Sequence, residues 1–291
     1  RDDMSVTRTI NYEVPTGHEA IAPVTQTVEY TRDVNGVAGY QDPVTGKPTW
    51  NPWHVKSGKA EFASTSVEQI KGYDSYVDGT KATEVAAAAV TEKDGEPQNG
   101  ATVTVTYTAN EHTLVINYVD GNGTVVGTYN VPGKTDETVN VDVPGNVPTN
   151  WKLVPNQQTI SSYKFGSGDP QPIAYKVEHG TEVVPVDKTD SRTYRKITQT
   201  IQEVPAGKTD ADKKVVRTAS VEFERTGVKD LVTGKTTWNA WNSNSETFPV
   251  YNIKEQKGYD SYVNGVKATE VAAVTVNPDS SNITDTITYV K

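Results

Sequence analysis

The sequence predicts a mainly β protein, α+β at most, made of three small domains in a row, and three observations carry that reading. The first is composition: 41 Val and 40 Thr stand against three Leu (Leu114, Leu153, Leu231), and β-branched side chains, stiff at χ1, favour strands over helices. The second is punctuation, since 22 Gly and 16 Pro supply turns for many short strands. The third is repetition. Residues 71–87 read K-G-Y-D-S-Y-V-D-G-T-K-A-T-E-V-A-A, and residues 257–273 repeat them with only Asp78/Asn264 and Thr80/Val266 changed, so one structural unit is used twice. With 34 % hydrophobic residues each core must be small, which suits three modest domains better than one large one.

The repetition runs past that block. Val44-Thr-Gly-Lys-Pro-Thr-Trp-Asn-Pro-Trp53 returns as Val232-Thr-Gly-Lys-Thr-Thr-Trp-Asn-Ala-Trp241, Glu13-Val-Pro-Thr-Gly17 as Glu203-Val-Pro-Ala-Gly207, and Thr104-Val-Thr-Tyr107 as Thr286-Ile-Thr-Tyr289. Each copy spans roughly 100 residues, an ordinary domain size. The residues between them match neither, so the chain divides into a first copy (1–109), a central module (110–187) and a second copy (188–291). Short linkers near Asn110 and Asp187 predict an elongated, rather stiff rod.

Within the copies, alternation predicts strands over residues 25–32, 218–225, 102–107 and 285–290, with Val103, Val105 and Tyr107 on one face. Residues 84–90, E-V-A-A-A-A-V, taken alone suit a helix. The counterpart, E-V-A-A-V-T-V at 270–276, ends in β-branched residues, and one position in a repeat must adopt one structure. Both are therefore read as strand. Residues 62–67 align with a segment holding Pro249, which again favours extended chain. In the central module, Leu114, Ile116 and Tyr118 alternate, residues 120–123 turn, and 125–131 return as a hairpin. Val139, Val141 and Val143 alternate next, followed by residues 151–154 and a last strand at Ile173, Tyr175 and Val177. Hairpin, crossover and late strand suggest a small mixed sheet of the β-grasp (ubiquitin-like) type, with the flanking copies read as related to it.

Charge and residue types exclude several functions. The net charge is −9, which disfavours nucleic acid. There is no Cys, hence no disulfide framework or thiolate metal site. No apolar run approaches a membrane span, so direct membrane insertion is not expected. The chain opens Arg1-Asp-Asp-Met without a signal peptide, as a fragment does. The four histidines (His18, His54, His112, His179) are scattered, with no H-E-x-x-H, G-x-S-x-G or phosphate-loop pattern. The reading is not an enzyme, with no catalytic residue and no cofactor. Asp120 and Asn122, with Thr124, are a weak Ca²⁺ candidate because their oxygens alternate, but the other EF-hand ligands are missing and a hairpin turn explains them.

Residues 114–141, L-V-I-N-Y-V-D-G-N-G-T-V-V-G-T-Y-N-V-P-G-K-T-D-E-T-V-N-V, resemble a MucBP-type (mucin-binding protein) domain. Trp151-Lys-Leu-Val154 stands where that family has G-Y-x-L-V, and Asp136-Glu137 where it has Gly-Glu. The flanking copies resemble the other half of the Mub repeat of lactobacillal mucus adhesins, its B2-like part, through Arg8-Thr-Ile-Asn-Tyr12, the V-T-G-x-x-x-W element and G-Y-x-S-Y. The resemblance implies a monomeric fragment of a longer repeat array, cell-wall-anchored outside a Gram-positive bacterium. It also implies host mucin glycoproteins and their glycans as partners. The family transfers no ligand-contact motif.

The residues themselves nominate the tryptophans. Trp50 and Trp53, like Trp238 and Trp241, are three apart, so a regular strand puts them on opposite faces: one core, the other exposed to stack on sugars. The alternative is that both pack, using the kink at Pro52 or Ala240. Trp151 completes the set. Arg192, Arg195, Lys213, Lys214 and Arg217, in the second copy whose net charge is +2 from residue 191 on against −6 over 1–109, offer a patch for sialylated or sulfated glycan. A solvated face is the competing reading. Three functions follow: a mucin-glycan adhesin, a module binding immunoglobulin or another host protein through exposed sheet edges, and a passive spacer.

Overall fold

The computed structural model describes residues 2–291, with 50 % of the chain in strands and 2 % in helix. It packs as two compact units. One holds the residues up to Asn146 together with Asn156–Lys176, the other Val147–Pro155 and Val177–Lys291.

In the first unit, β1 (Asp3–Tyr12) and β2 (Val24–Thr31) form an antiparallel hairpin, Ile10 opposite Val24 and Asp3 opposite Thr31. A two-strand ribbon follows, β3 (Gly39–Gln41) against β4 (Pro48–Trp50). β5 (Tyr73–Val77) and β6 (Val103–Ala109) complete the main sheet. β6 lies parallel to β1, Ile10 opposite Val103, and antiparallel to β5. The sheet order is His54–Val55, β2, β1, β6, β5, Thr80–Lys81. Val6, Val28, Tyr30, Trp53 and Phe62 are buried together, and Ile10, Val67, Val85, Val103 and Val105 form a second cluster that Tyr107 adjoins.

Only Asn110 separates β6 from β7 (Glu111–Val119), which opens the central segment. β7 pairs with β8 (Val125–Lys134), with a bulge between Tyr118 and Val119. Later come β9 (Trp151–Leu153) and β10 (Ile173–His179). β10 runs parallel to β7 from Ile173 to Lys176, and its last three residues pair with β9. Tyr118 is fully buried and its hydroxyl donates to the Val143 carbonyl at 2.6 Å. β10 continues through His179, two residues past the Val177 at which the alternation read from the sequence ends.

The second unit rebuilds the first copy's sheet. β11 (Thr181–Val184) leads to β12 (Tyr194–Glu203) and β13 (Lys214–Glu224), an antiparallel pair. The ribbon is β14 (Gly227–Asp230) with β15 (Thr236–Trp238). β16 (Asp260–Val263) and β17 (Ile283–Val290) finish the sheet, ordered β13, β12, β17, β16, Val266–Lys267. In both copies, as in the central segment, the first strand lies between its hairpin partner and a parallel late strand. That is the mixed sheet the sequence suggested. Among the described residues the long crossover between the parallel strands carries no α-helix, only a single 3-10 turn at Pro144–Asn146 in the central segment, so what is seen is the strand order and not the β-grasp arrangement as such.

Small ladders replace the helix. Glu61–Phe62 pairs with Ala88–Ala89 and Thr65–Ser66 with Glu84–Val85; in the second copy Glu246–Phe248 pairs with Val274–Val276 and Tyr251–Asn252 with Glu270–Val271. The Ala-rich run is thus strand in both copies, as comparing them required, but broken in two. The two differences inside the repeated block are both tolerated for a visible reason. Asp78 and Asn264 take φ of 47° and 48°, a left-handed turn that both residue types adopt readily. Each side-chain oxygen accepts the same β6 or β17 amide, from Thr104 and Thr286 respectively, at 2.9 Å. Thr80 and Val266 are exposed.

One buried polar pair is exchanged between the copies. Arg8 on β1 donates to Gln26 Oε1 (2.7 Å), Ala86 O (3.0 Å) and Ala63 O (3.1 Å). In the second copy Gln199 on β12 takes the Arg8 position, and the arginine sits across the hairpin as Arg217, donating to Gln199 Oε1 and to Pro249 O at 2.9 Å. The guanidinium changes strand while still reaching the matching crossover carbonyl. Arg8→Leu is expected to lower the unfolding free energy by about 1–3 kcal/mol, because Gln26 Oε1 and Ala86 O lose their charged donor while Ala63 O keeps only Gln26 Nε2. Urea unfolding followed by fluorescence checks this.

Candidate functional site

The ribbon and the strand preceding it bring the sequence-nominated tryptophans together. β4 ends at Trp50, and Asn51 turns the chain by donating to Arg32 O (3.1 Å) and Val37 O (2.8 Å). The regular strand therefore stops before Trp53, and the opposite-face argument does not apply. Instead both rings flank one cation. The Arg32 guanidinium carbon lies 4.2 Å from the Trp53 ring centre and 5.3 Å from that of Trp50. Glu96 closes the arrangement, accepting from Trp53 Nε1 at 3.1 Å and from Arg32 Nη2 at 3.3 Å. Trp53 is buried and Trp50 remains 46 % exposed, so one member is core and one faces solvent.

The second copy repeats the clamp with different surroundings. Arg225 stands 4.6 Å from Trp238 and 4.4 Å from Trp241, and both rings are half-buried. Its Nε donates to Arg192 O, and no ion pair to Arg225 is found among the described residues. In each copy a glycine opposes the ribbon tryptophan. A Cβ on Gly39 would stand 3.2 Å from a Trp50 ring carbon, and one on Gly227 would stand 2.8 Å from Trp238, so a side chain at either position displaces the indole. The clamp arginines were missed by sequence reasoning, although a signal exists: both directly follow a hairpin strand, in Tyr30-Thr-Arg32 and Phe223-Glu-Arg225.

The Muc B2-like domain family matches residues 2–111 and 186–291. The chain belongs to that family. The crystal structure of Mub-RV is 26 % identical, with the match covering 61 % of this chain and 97 % of its own at a TM-score of 0.44. The type 2 repeat of the mucus binding protein MUB from Lactobacillus reuteri is 23 % identical over 62 % of this chain and 98 % of its own (TM-score 0.38). The MucBP domain of the adhesion protein from Pediococcus pentosaceus is 29 % identical over 37 % and 99 % (TM-score 0.28). No curated protein matches the chain.

The other nominated residues lie apart from the Muc B2-like clamps or are already engaged. Trp151 on β9 meets His179 edge-on at 4.7 Å, and His179 Nδ1 lies 2.5 Å from Asp230 Oδ2. Arg192 binds Asp190 through Nε and Nη2, and Arg195 donates to Pro278 O (3.0 Å) and Ser280 O (2.9 Å). Arg192 stays exposed and also stands 5.7 Å over the Trp238 ring, and with Arg217 committed, Lys213 and Lys214 are the other exposed patch residues. Asp120 Oδ1 caps the hairpin turn, accepting from the amides of Asn122 and Thr124, each at 2.9 Å.

Three of the four histidines, His18, His112 and His179, are engaged by side chains, which the sequence did not reveal. Asp136 Oδ2 accepts from Tyr73 and meets His18 Nε2, each at 2.6 Å. Thr135 Oγ1 lies 2.8 Å from both Gly72 O and His112 Nε2, and His112 Nδ1 faces Asp169 at 2.8 Å. Gly72 takes a φ of 83°, and a Cβ there would meet Thr135 at 2.6 Å, so this close approach needs glycine twice over. Beside it lies a cleft of about 670 Å³ lined by Glu111, Lys134, Glu137 and Asp169 among others. Hydrogen bonds from Tyr73 first and His18 second hold the Asp136 carboxyl below the ordinary carboxylate range. Burial first, and Asp136 second, push the Tyr73 phenol up to about 12.

Two outcomes follow. Trp53→Ala is expected to cost about 3–5 kcal/mol of stability and Trp50→Ala less than about 1 kcal/mol, since only the first empties a buried site; urea midpoints separate them. A carboxyl depressed in the folded state contributes stability that is whole above its unfolded value, about 3.9, and is lost as pH falls through the folded value. Asp136→Asn is therefore expected to lower stability at neutral pH and to flatten its decline below about pH 4. Urea midpoints measured across the acid range test this.

Proposed function

We propose that the chain is part of a surface adhesin of a Gram-positive bacterium and binds mucin glycans through its tryptophan clamps. Membership of the Muc B2-like family supports the class, and the half-exposed Trp50 ring held on Arg32 is the observation that carries the site. An indole face stacks on the apolar face of a sugar. Trp50 is already held in place by Arg32, so little rotamer freedom is lost on binding. A single shallow site of this kind is weak, and two copies in one chain, with more in an array, supply adhesion by avidity. The first clamp is neutralised by Glu96, which suits uncharged sugars. The second keeps Arg225 without an ion pair and has Arg192 5.7 Å over the Trp238 ring, which suits sialylated or sulfated ones.

A second reading rests on the outer edge of β13, which pairs with no further strand among the described residues. Such an edge accepts a strand from a host protein such as an immunoglobulin.

Binding to immobilised mucin before and after periodate oxidation tests the choice. Loss of binding on oxidation, and a drop of at least about tenfold for the Trp50→Ala/Trp238→Ala double variant at unchanged melting temperature, is the expected result. Binding that survives oxidation and both substitutions overturns the glycan reading and moves the search to the sheet edges.

A further inference from the structure

The two ribbons are built alike but finished differently. In the second copy β14 is the middle strand of three: β15 pairs on one side and β11 on the other, Thr181 opposite Asp230, Glu182 opposite Lys229, Val183 opposite Val228 and Val184 opposite Gly227. In the first copy the matching strand β3 pairs only with β4, and among the described residues its other edge carries no strand.

The uncovered ribbon shows the difference in its side chains. Val44 and Val232 occupy the same position of the same V-T-G-K turn, yet Val44 is 91 % exposed and Val232 is 39 %. Tyr40 is 72 % exposed where Val228 is 38 %. The polar groups tell the same story. Asp230 Oδ1 caps the turn amides of Val232 and Thr233 while Oδ2 receives His179. Asp42 Oδ1 caps Val44 and Thr45 in the same way, and among the described residues no histidine meets its carboxyl.

We infer that the open edge of β3 is a docking site for the tail strand of another central-type module, a segment of the kind His179-Gly-Thr-Glu-Val-Val184. The register is set by the second copy: the Thr, Glu and two Val oppose Asp42, Gln41, Tyr40 and Gly39, and the histidine meets Asp42 Oδ2. An unpaired strand edge is a template for such addition, and here the complementary strand is already seated on the equivalent edge of the same chain. One bond is lost in the transfer. Leu231 N–H donates to Gly180 O at 2.9 Å, and Pro43 at the matching position has no N–H to give. Edge pairing leaves the ribbon faces free, so the proposal stands or falls independently of glycan binding by Trp50.

The test is the full chain extended at its amino end by a second copy of residues 110–190, read by amide hydrogen exchange. Residues 227–230 of the same molecule serve as the covered reference. Exchange over 39–42 is expected to slow by at least about tenfold towards that reference, and replacing the extension's counterpart of His179 by Ala is expected to reverse part of the protection. Exchange over 39–42 unchanged from the original chain, with the extension's own strands protected, overturns the proposal. If the extension does not fold, a synthetic peptide of residues 177–186, added to the original chain at millimolar concentration to match a tethered segment, decides. Amide shifts centred on 39–42 support it, and none with peptide in excess overturns it.

Discussion

A parallel pair of strands with no helix to return the chain is the constraint on which both repeat copies depend. β1 and β6, like β12 and β17, are joined by a crossover whose backbone amides and carbonyls would be buried without partners. A helix satisfies those groups within itself. Here they are met piecemeal, by two- and three-residue ladders and by an arginine reaching from the main hairpin. Arg8 and Arg217 stand on different strands, yet each donates to the carbonyl of the same crossover position, Ala63 or Pro249. That an arginine–glutamine pair is inverted across the hairpin while this bond survives shows which element is required. The second hairpin strand supplies a donor to this carbonyl in both copies, Gln26 Nε2 at 2.7 Å in the first and Arg217 in the second, and the first strand adds Arg8 only in the first copy.

The same economy governs the tryptophan clamps. Arg32 and Arg225 extend from the ends of hairpin strands, so the rigid sheet positions the guanidinium and the ribbon delivers the rings. Trp53 belongs to the first copy's buried cluster and Trp241 packs against that of the second, which ties the ribbon to the fold. The outer ring of the first copy, Trp50, stays exposed and takes no part in that cluster. Divergence falls where this division predicts. The counter-charge differs, Glu96 in one copy and a backbone carbonyl in the other, while cation and rings persist.

Much of the fold was legible because the sequence carries two copies of itself. The Ala-rich run at 84–90 reads as helix alone and as strand once 270–276 is set beside it. The central hairpin, the second and last strands of each copy and the family were legible from alternation and repeated motifs, whereas the first strand of each copy, Asp3–Tyr12 and Tyr194–Glu203, was not read. Three other things were not legible. The break inside the Ala-rich strand and the turn at Asn51 depend on where ladder partners end, which no local pattern encodes. The spacing of Trp50 and Trp53 suggested opposite faces, but that holds only while a strand continues. The partnerships of His18, His112 and His179 with Asp136, Asp169 and Asp230 join residues 51 to 118 positions apart, so the histidines seemed scattered.

Two of those partnerships, of His18 and His112, surround the point where the first copy meets the central segment. Between β6 and β7 a single residue, Asn110, connects the first copy to the central segment, and its amide donates to Gly72 O while its carbonyl accepts from Thr135. Tyr73, His18, Asp136 and Thr135 add side-chain bonds around the same point. The residues at this joint that come from the first copy include Gly72 and Tyr73, part of the block repeated almost unchanged at 257–273. In the first copy, then, the block carries more than core: Gly72 and Tyr73 also supply backbone and side-chain bonds to the central segment.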